Sequence, residues 1–335
     1  MSVDDRSDDG PTGDPIDPID PIDPIDPIDT SSGGTVADEL RLDDALRAPV
    51  VGIDRAGERR QARKERLRLL LRSPGFIGGV IVLGFWVVCA LLGDRITPFD
   101  PVLDRQAARQ GPDGSHWFGT DTIGRDVLSR VMVGSRSVLV SAPIAAVLSI
   151  AAGTFFGLVM GYYRGWVDEI LSRIIEALLS IPVVLLALLT LTVLGNSRTV
   201  LILTVAALFT PIVTRTVRSA VMAEAQLDYV TSAKLRGESG LFVMTREIFP
   251  NITASVVVEL TVRVGYAIFT VATLAFFGFP AVQPPTPDWG VDIRDTYGLI
   301  QAGQWWPAMF PAIAIASLVI AVNLIADSIE KVSNA

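Results

Sequence analysis

Residue types that perform covalent or metal chemistry are nearly missing from this sequence. Among 335 residues there is one cysteine, Cys89, and one histidine, His116. No disulfide, Cys/His metal cluster or Cys–His dyad can be assembled from these within one chain. The lysines are Lys64, Lys234 and Lys331, and none follows a glycine, so the Gly-Lys-Ser/Thr loop that cradles nucleotide phosphates is absent. No G-x-S-x-G turn occurs, and an H-E-x-x-H zinc site needs two histidines. Cys89 sits in an apolar run and reads as a small core residue. The remaining chemistry is electrostatic. Glu259 and Arg263 are four apart and can pair on one helix face. They and Glu176 are expected at cytoplasmic ends of apolar segments, meeting water. Between two apolar runs lies a polar stretch, Asp228 to Asn251, suited to docking.

The elements that position these groups are membrane spans. Half of the chain is hydrophobic, and several uncharged runs have the ~20-residue length that crosses a bilayer core. The expected fold is all-α and integral to the membrane, with six transmembrane helices at 76–92, 138–162, 177–194, 199–213, 255–277 and 307–326. Ser73-Pro74 reads as cap and first residue of the first span. Gly153, Gly157 and Gly161, at spacing four, predict close approach of another helix to span two. A short turn, 164–173, is expected between spans two and three, with Pro182 inside span three and Pro211 interrupting span four. Trp289, Trp305 and Trp306 suit a membrane interface.

The net charge of −8 is carried by one end of the chain. Residues 1–54 hold 15 acidic groups against 3 arginines, and Pro-Ile-Asp repeats five times from Pro15 to Asp29. Proline at every third position fixes φ and removes amide donors, so a disordered, solvated acidic tail is expected. The segment 55–72 is basic, with seven arginines and Lys64 against Glu58 and Glu65. Basic residues beside a span stay cytoplasmic and attract anionic lipid, and this placement argues against nucleic acid as a partner. With the N-terminus inside, six spans return the C-terminus inside and leave 214–253 cytoplasmic, in keeping with Arg215, Arg218, Lys234, Arg236 and Arg246. The expected division is 1–54 tail, 55–72 basic segment, 73–133 first span plus extracytoplasmic segment, and 134–330 transmembrane domain with a cytoplasmic loop at 222–253.

Within that loop, Asp228–Arg236 is expected to be helical and to stop at Gly237. A second helical stretch, Leu241–Phe249, is expected to run up to Pro250. A short helix pair on one membrane face is small, exposed and stiff. With no phosphate-binding loop in the chain, a cytoplasmic docking loop points to another subunit as the source of any energy for transport. The rival class, a self-contained channel or secondary transporter, predicts ionisable groups deep in several spans.

Three stretches in order carry a resemblance. Asp228-Tyr229-Val230, Ala233, Gly237 and Ile248-Phe249-Pro250-Asn251 resemble the EAA loop of permease subunits in binding-protein-dependent ABC importers. His116-Trp117-Phe118-Gly119-Thr120-Asp121, Gly124-Arg125-Asp126 and Ser129-Arg130 resemble the segment before span two of C-type dipeptide and oligopeptide permeases. Phe276-Phe277-Gly278, Gln283 to Pro287 and Trp289-Gly290 resemble the outward segment after their span five. Departures are Thr231-Ser232 where the loop usually carries Glu-Ala, no carboxylate at 271–274, and the Pro-Ile-Asp tail. The resemblance implies a type I ABC importer permease fold in a bacterial plasma membrane, with both termini cytoplasmic. It implies a heterodimer with a second permease subunit, two ATPase subunits, and an extracytoplasmic substrate-binding lipoprotein. ATP and Mg would be bound by those partners, with no cofactor and no catalysis in this chain. Asp228, Tyr229, Ala233, Leu235, Gly237, Leu241, Phe242 and Pro250 would couple to the ATPase, with Leu235, Leu241 and Phe242 as apolar anchors. The cargo implied is a di- or oligopeptide, with nickel chelates or glutathione-like compounds as alternatives. The segment 114–136 is expected to be scaffold, Thr120 and Asp121 capping a helix whose Val127, Leu128 and Val131 pack on span two.

Overall fold

The computed structural model describes residues 68–333; the acidic tail and most of the basic segment lie outside them. Among the described residues the structure is helical, and its sole β pairing is an isolated bridge between Thr120 and Asp126. Helix α1 is Pro74–Ile96, α2 Val127–Tyr163, α3 Gly165–Leu179, α4 Val183–Leu194 and α5 Arg198–Glu224. The loop helix α6 is Asp228–Leu235. A helical turn, Gly240–Phe242, and a π-helical segment, Val243–Ile248, lead into α7, Phe249–Phe276. Then come α8, Trp289–Thr296, a 3₁₀ segment, Tyr297–Ala302, and α9, Trp306–Ser333. Five of the described helices are long and apolar enough to cross a membrane, and the bent pair α3–α4, taken together as one broken span, brings the number of candidates to six.

The closest helix pair is α2 with α5. A Cβ built on Gly153, Gly157 or Gly161 would lie 2.5, 2.7 or 2.7 Å from the Cβ of Val213, Val217 or Val221. Two rows at spacing four therefore interlock, and removal of three side chains is what lets the backbones meet. Helix α1 lies on α9: Gly79 sits against the Ala321 carbonyl, and Trp86 Nε1 donates to Ser317 Oγ at 2.9 Å. Pro74 occupies the first turn as expected, but the Ser73 side chain does not cap it; its Oγ meets Ser328 Oγ at 3.2 Å. Val138, Ala142, Leu201, Val205, Ile268, Val271 and Leu318 form the centre of the core, and Cys89 lies buried beside it.

Several expectations are corrected. Span three is not one run over 177–194: α3 and α4 meet at 89° across Ser180–Pro182. Pro182 has no N–H to donate and drives Ile181 out of helical geometry. Helix α4 alone has 12 residues, about 18 Å of rise, short of a ~30 Å core. The supposed turn at 164–173 is mostly helix, because Arg164 (φ 50°) and Gly165 (φ 63°) form the whole corner. Span four is not interrupted at Pro211; α5 runs through it for 27 residues. The domain boundary expected at 133/134 falls inside α2, which begins at Val127. Thr120 and Asp121 do not cap that helix. Asp126 does, accepting from Ser129 N at 2.8 Å and Ser129 Oγ at 2.7 Å.

Candidate functional site: the loop between α5 and α7

Helix α6 ends where glycine permits it. Gly237 has φ 77°, Glu238 N donates to Ala233 O at 3.2 Å, and Gly237 N donates to Lys234 O at 3.0 Å. This is the paired 6→1 and 5→2 bonding that satisfies the last carbonyls of a helix. Ser239 Oγ then accepts from Phe242 N at 3.3 Å and starts the next helical turn. That turn does not stop at Pro250, as expected from sequence. The backbone widens to π geometry over Val243–Ile248 and continues through Pro250 into α7. A wider turn gives the proline ring space and absorbs its missing donor.

The loop rests on a closed apolar base: Val230, Ala233, Val243 and Ile248 are fully buried against Val217 and Val221 of α5. Ala233 was expected to admit a partner. It faces inward instead, so its small size serves approach of α6 to its own chain. Tyr229 ties both sides of the loop. Its hydroxyl donates to Glu224 Oε1 at 2.6 Å and accepts from Asn251 Nδ2 at 3.0 Å. Burial, reinforced by the Glu224 carboxylate, pushes the phenol up to about 12. Lys234 Nζ lies 5.0 Å from the centre of the Tyr162 ring, and Arg236 reaches Glu247 at 3.8 Å. Gly240 passes so close to Tyr162 and Tyr163 that a Cβ would meet them at 3.0 and 2.9 Å.

Among the described residues, the outward side leaves large apolar side chains uncovered. Leu235 is 84% exposed, Leu241 67% and Phe242 39%. Asp228, Gly237 and Pro250 are exposed beside them. The eight residues singled out from sequence thus divide into an outward set and two inward members, Tyr229 and Ala233. Sequence reasoning missed Glu224, Gly240 and Val243, and gave Ile248 no part in the loop's base. The spacing of Val230, Ala233, Val243 and Ile248 does not follow one helix period, so only their meeting in space identifies them.

The opposite end of the helices is closed by polar contacts. Arg130 on α2 pairs with Asp292 on α8 through Nε and Nη2 and donates from Nη1 to Pro101 O at 3.0 Å. His116 Nδ1 lies 2.9 Å from Asp126 Oδ1, and Arg125 Nε donates to Asp121 Oδ2 at 2.6 Å. Ser137 Oγ donates to Asp288 Oδ2 at 2.6 Å, and Asp288 Oδ1 caps α8 by accepting from Gly290 N at 3.0 Å. Burial pushes the carboxyls of Asp288 and Asp292 up, with Arg130 opposing the shift at Asp292. Two tryptophans expected at a membrane interface are inside the protein: Trp289 Nε1 donates to Val131 O at 2.8 Å and Trp306 Nε1 to Thr120 O at 3.1 Å. Trp305 is the exposed one.

Glu259 and Arg263 do pair, with Arg263 Nε donating to Glu259 Oε1 at 2.7 Å. They do not meet bulk water at a helix end. Each side chain is 12% exposed, and Glu259 lies ten residues beyond the α7 start at Phe249, about 15 Å along the axis. Glu176 is exposed on α3, beside Arg173 at 3.4 Å. Among the described residues, no group of three or more His, Cys, Asp or Glu is placed to hold a metal ion.

Comparison with known proteins agrees with this architecture. The dipeptide transport system permease protein DppC of Haemophilus influenzae is 36% identical over 266 residues, covering 77% of this chain and 90% of the relative. The glutathione transport system permease protein GsiD of Pectobacterium atrosepticum is 34% identical over 265 residues, covering 78% and 87%. DppC of Alkalihalophilus pseudofirmus is 32% identical over 268 residues, covering 80% and 88%. Residues 153–335 match the family model for the binding-protein-dependent transport system inner membrane component. That stretch begins at the glycine row of α2 and contains the braced loop and the spans on either side of it, so this multi-pass membrane chain belongs to the binding-protein-dependent transport system inner membrane component family.

Proposed function

We propose that this chain is one permease subunit of an ATP-driven ABC importer for di- or oligopeptides. It forms the translocation path with a second permease, and the 228–251 loop docks on an ATPase subunit. An extracytoplasmic substrate-binding lipoprotein delivers the cargo. ATP and Mg are bound, and ATP hydrolysed, by the ATPase partners. The single observation carrying the docking role is the exposure of Leu235, Leu241 and Phe242 on a loop whose base is fixed by buried apolar contacts. An apolar anchor on a rigid support transmits displacement rather than absorbing it, as alternating access driven by a partner requires. Peptide as cargo rests on relatives whose names specify dipeptide transport; a relative named for glutathione transport keeps a γ-linked tripeptide as the second reading. The loop then lies in the cytoplasm of a bacterial cell, with both termini on that side.

Replacing Leu235 and Leu241 together by Glu tests the docking role in the assembled complex. Both side chains are exposed, so the thermal stability of the chain should change by less than about 0.5 kcal/mol. Binding of the ATPase subunits should weaken by about 2 kcal/mol or more, roughly 30-fold. Parent-like ATPase binding and peptide-stimulated ATP hydrolysis would remove the loop from the coupling role.

A further inference from the structure

Helix α7 carries a polar stripe that neither the core nor the loop explains. Ser255, Glu259, Arg263, Tyr266 and Thr270 follow one another at spacings of four, four, three and four. At 3.6 residues per turn they fall within about 80° of arc. The core face of the same helix is apolar and lies elsewhere on the circumference, through Leu260, Val264, Ile268 and Val271. The stripe is partly open: Ser255 and Tyr266 are exposed, and Glu259 and Arg263 are each 12% exposed. The Arg263 guanidinium lies 5.1 Å from the Tyr266 ring centre and 5.9 Å from that of Phe209 on α5. A charged pair inside a span is costly against lipid and is found facing a bundle interior or a water-filled passage. The exposed Tyr266 beside it shows that this chain alone does not enclose the stripe.

We propose that this stripe lines the wet passage between the two permease subunits, and that the Glu259–Arg263 pair is a transient binding step for zwitterionic peptides. This deepens the peptide reading given above and rests on it. A peptide carries one ammonium and one carboxylate. As it passes, its carboxylate takes the Arg263 guanidinium and its ammonium takes Glu259. One internal ion pair is exchanged for two ligand pairs of the same kind, so opposite charges stay matched throughout. The net gain is small, which a passage needs if cargo is both to enter and to leave. Tyr266 and Phe209 hold the guanidinium by its faces, leaving its edge N–H groups for the carboxylate.

The test uses the complete importer in proteoliposomes, with radiolabelled trialanine as probe. The neutral double variant Glu259→Gln with Arg263→Gln should import at least about tenfold more slowly per ATP hydrolysed, while ATP hydrolysis stimulated by the binding protein stays within about twofold of the parent. The charge-exchanged variant, Glu259→Arg with Arg263→Glu, keeps both charges and should import faster than the neutral one. Tyr266→Cys should be modified by a charged, membrane-impermeant thiol reagent, whereas the parent's Cys89, 1% exposed, should not. Import by the neutral variant at the parent's rate overturns the inference. So do import and hydrolysis falling together, a charge-exchanged variant no better than the neutral one, or an unreactive Tyr266→Cys. A parent complex that hydrolyses ATP but imports no trialanine overturns the peptide reading itself.

Discussion

The two ends of the helical body handle exposed and buried chemistry in opposite ways. At the end formed by 99–137 and α8, carboxylates are buried and matched within the chain: Asp292 by Arg130, Asp121 by Arg125, and Asp126 by a hydrogen bond with the His116 imidazole. At the loop end the apolar base is buried, and Leu235, Leu241 and Phe242 are left exposed among polar neighbours. One end is finished by its own side chains. The other keeps large apolar side chains exposed, as the docking role proposed for it requires. The proposed function, a fixed frame at one end and a response to a partner at the other, would need this asymmetry.

The largest effect should come from breaking the finished end. Arg130→Met leaves Asp292 buried with its main partner gone, and a stranded buried charge costs about 3–5 kcal/mol. Thermal unfolding in detergent should show the loss. A variant as stable as the parent would mean that the buried pair does not hold the outer frame together. Asp288→Asn sharpens the same point with the opposite sign. Burial raises the Asp288 carboxyl above its ordinary value of 3.8. A raised acid favours the folded state fully below its unfolded value and loses that contribution as pH rises through the folded one. The asparagine keeps the cap and the partner of Ser137 without charge. It should therefore be more stable than the parent near pH 7, by on the order of 1 kcal/mol, with the advantage shrinking as pH falls towards 4. Unfolding curves at several pH values decide this, and an advantage independent of pH would contradict it.

The smallest effect belongs to the loop end. Tyr229→Phe removes the bonds to Glu224 and Asn251 and should cost about 0.5–1.5 kcal/mol. Hydrogen exchange at 228–251 should rise while exchange at the opposite end stays at the parent's level. If both ends loosened together, the contrast between a self-sufficient end and a partner-dependent one would fail. A spectroscopic pH titration gives a second reading: one tyrosine should ionise near 12 in the parent, and that step should vanish in the variant.

The sequence was informative wherever a single element carried the signal. Run lengths counted the crossings, the glycine row at 153, 157 and 161 named a close helix contact, and Gly237 marked the end of α6. The exposed anchors Leu235 and Leu241 were legible because large apolar residues in a short polar loop stand out. Proline was the weaker guide. Pro182 bends its span by 89°, Pro211 stays within a straight-through helix, and Pro250 is absorbed by a π turn. Local sequence is alike in these cases; what differs is whether neighbouring helices hold the backbone on course.

By itself the sequence determined composition, the apolar helical runs, the absence of a phosphate-binding loop, and a polar loop of defined length between two of those runs. Those properties follow from local hydrophobicity and backbone restriction, which act over a few residues. Only the tertiary structure decided that Ala233 points inward, that Trp289 and Trp306 are buried donors, and that Arg130 meets Asp292 across 162 positions of chain. It also decided that the Glu259–Arg263 pair sits well inside α7 rather than at its watery end. Such facts depend on which elements meet, and that is set by packing the whole set of helices together.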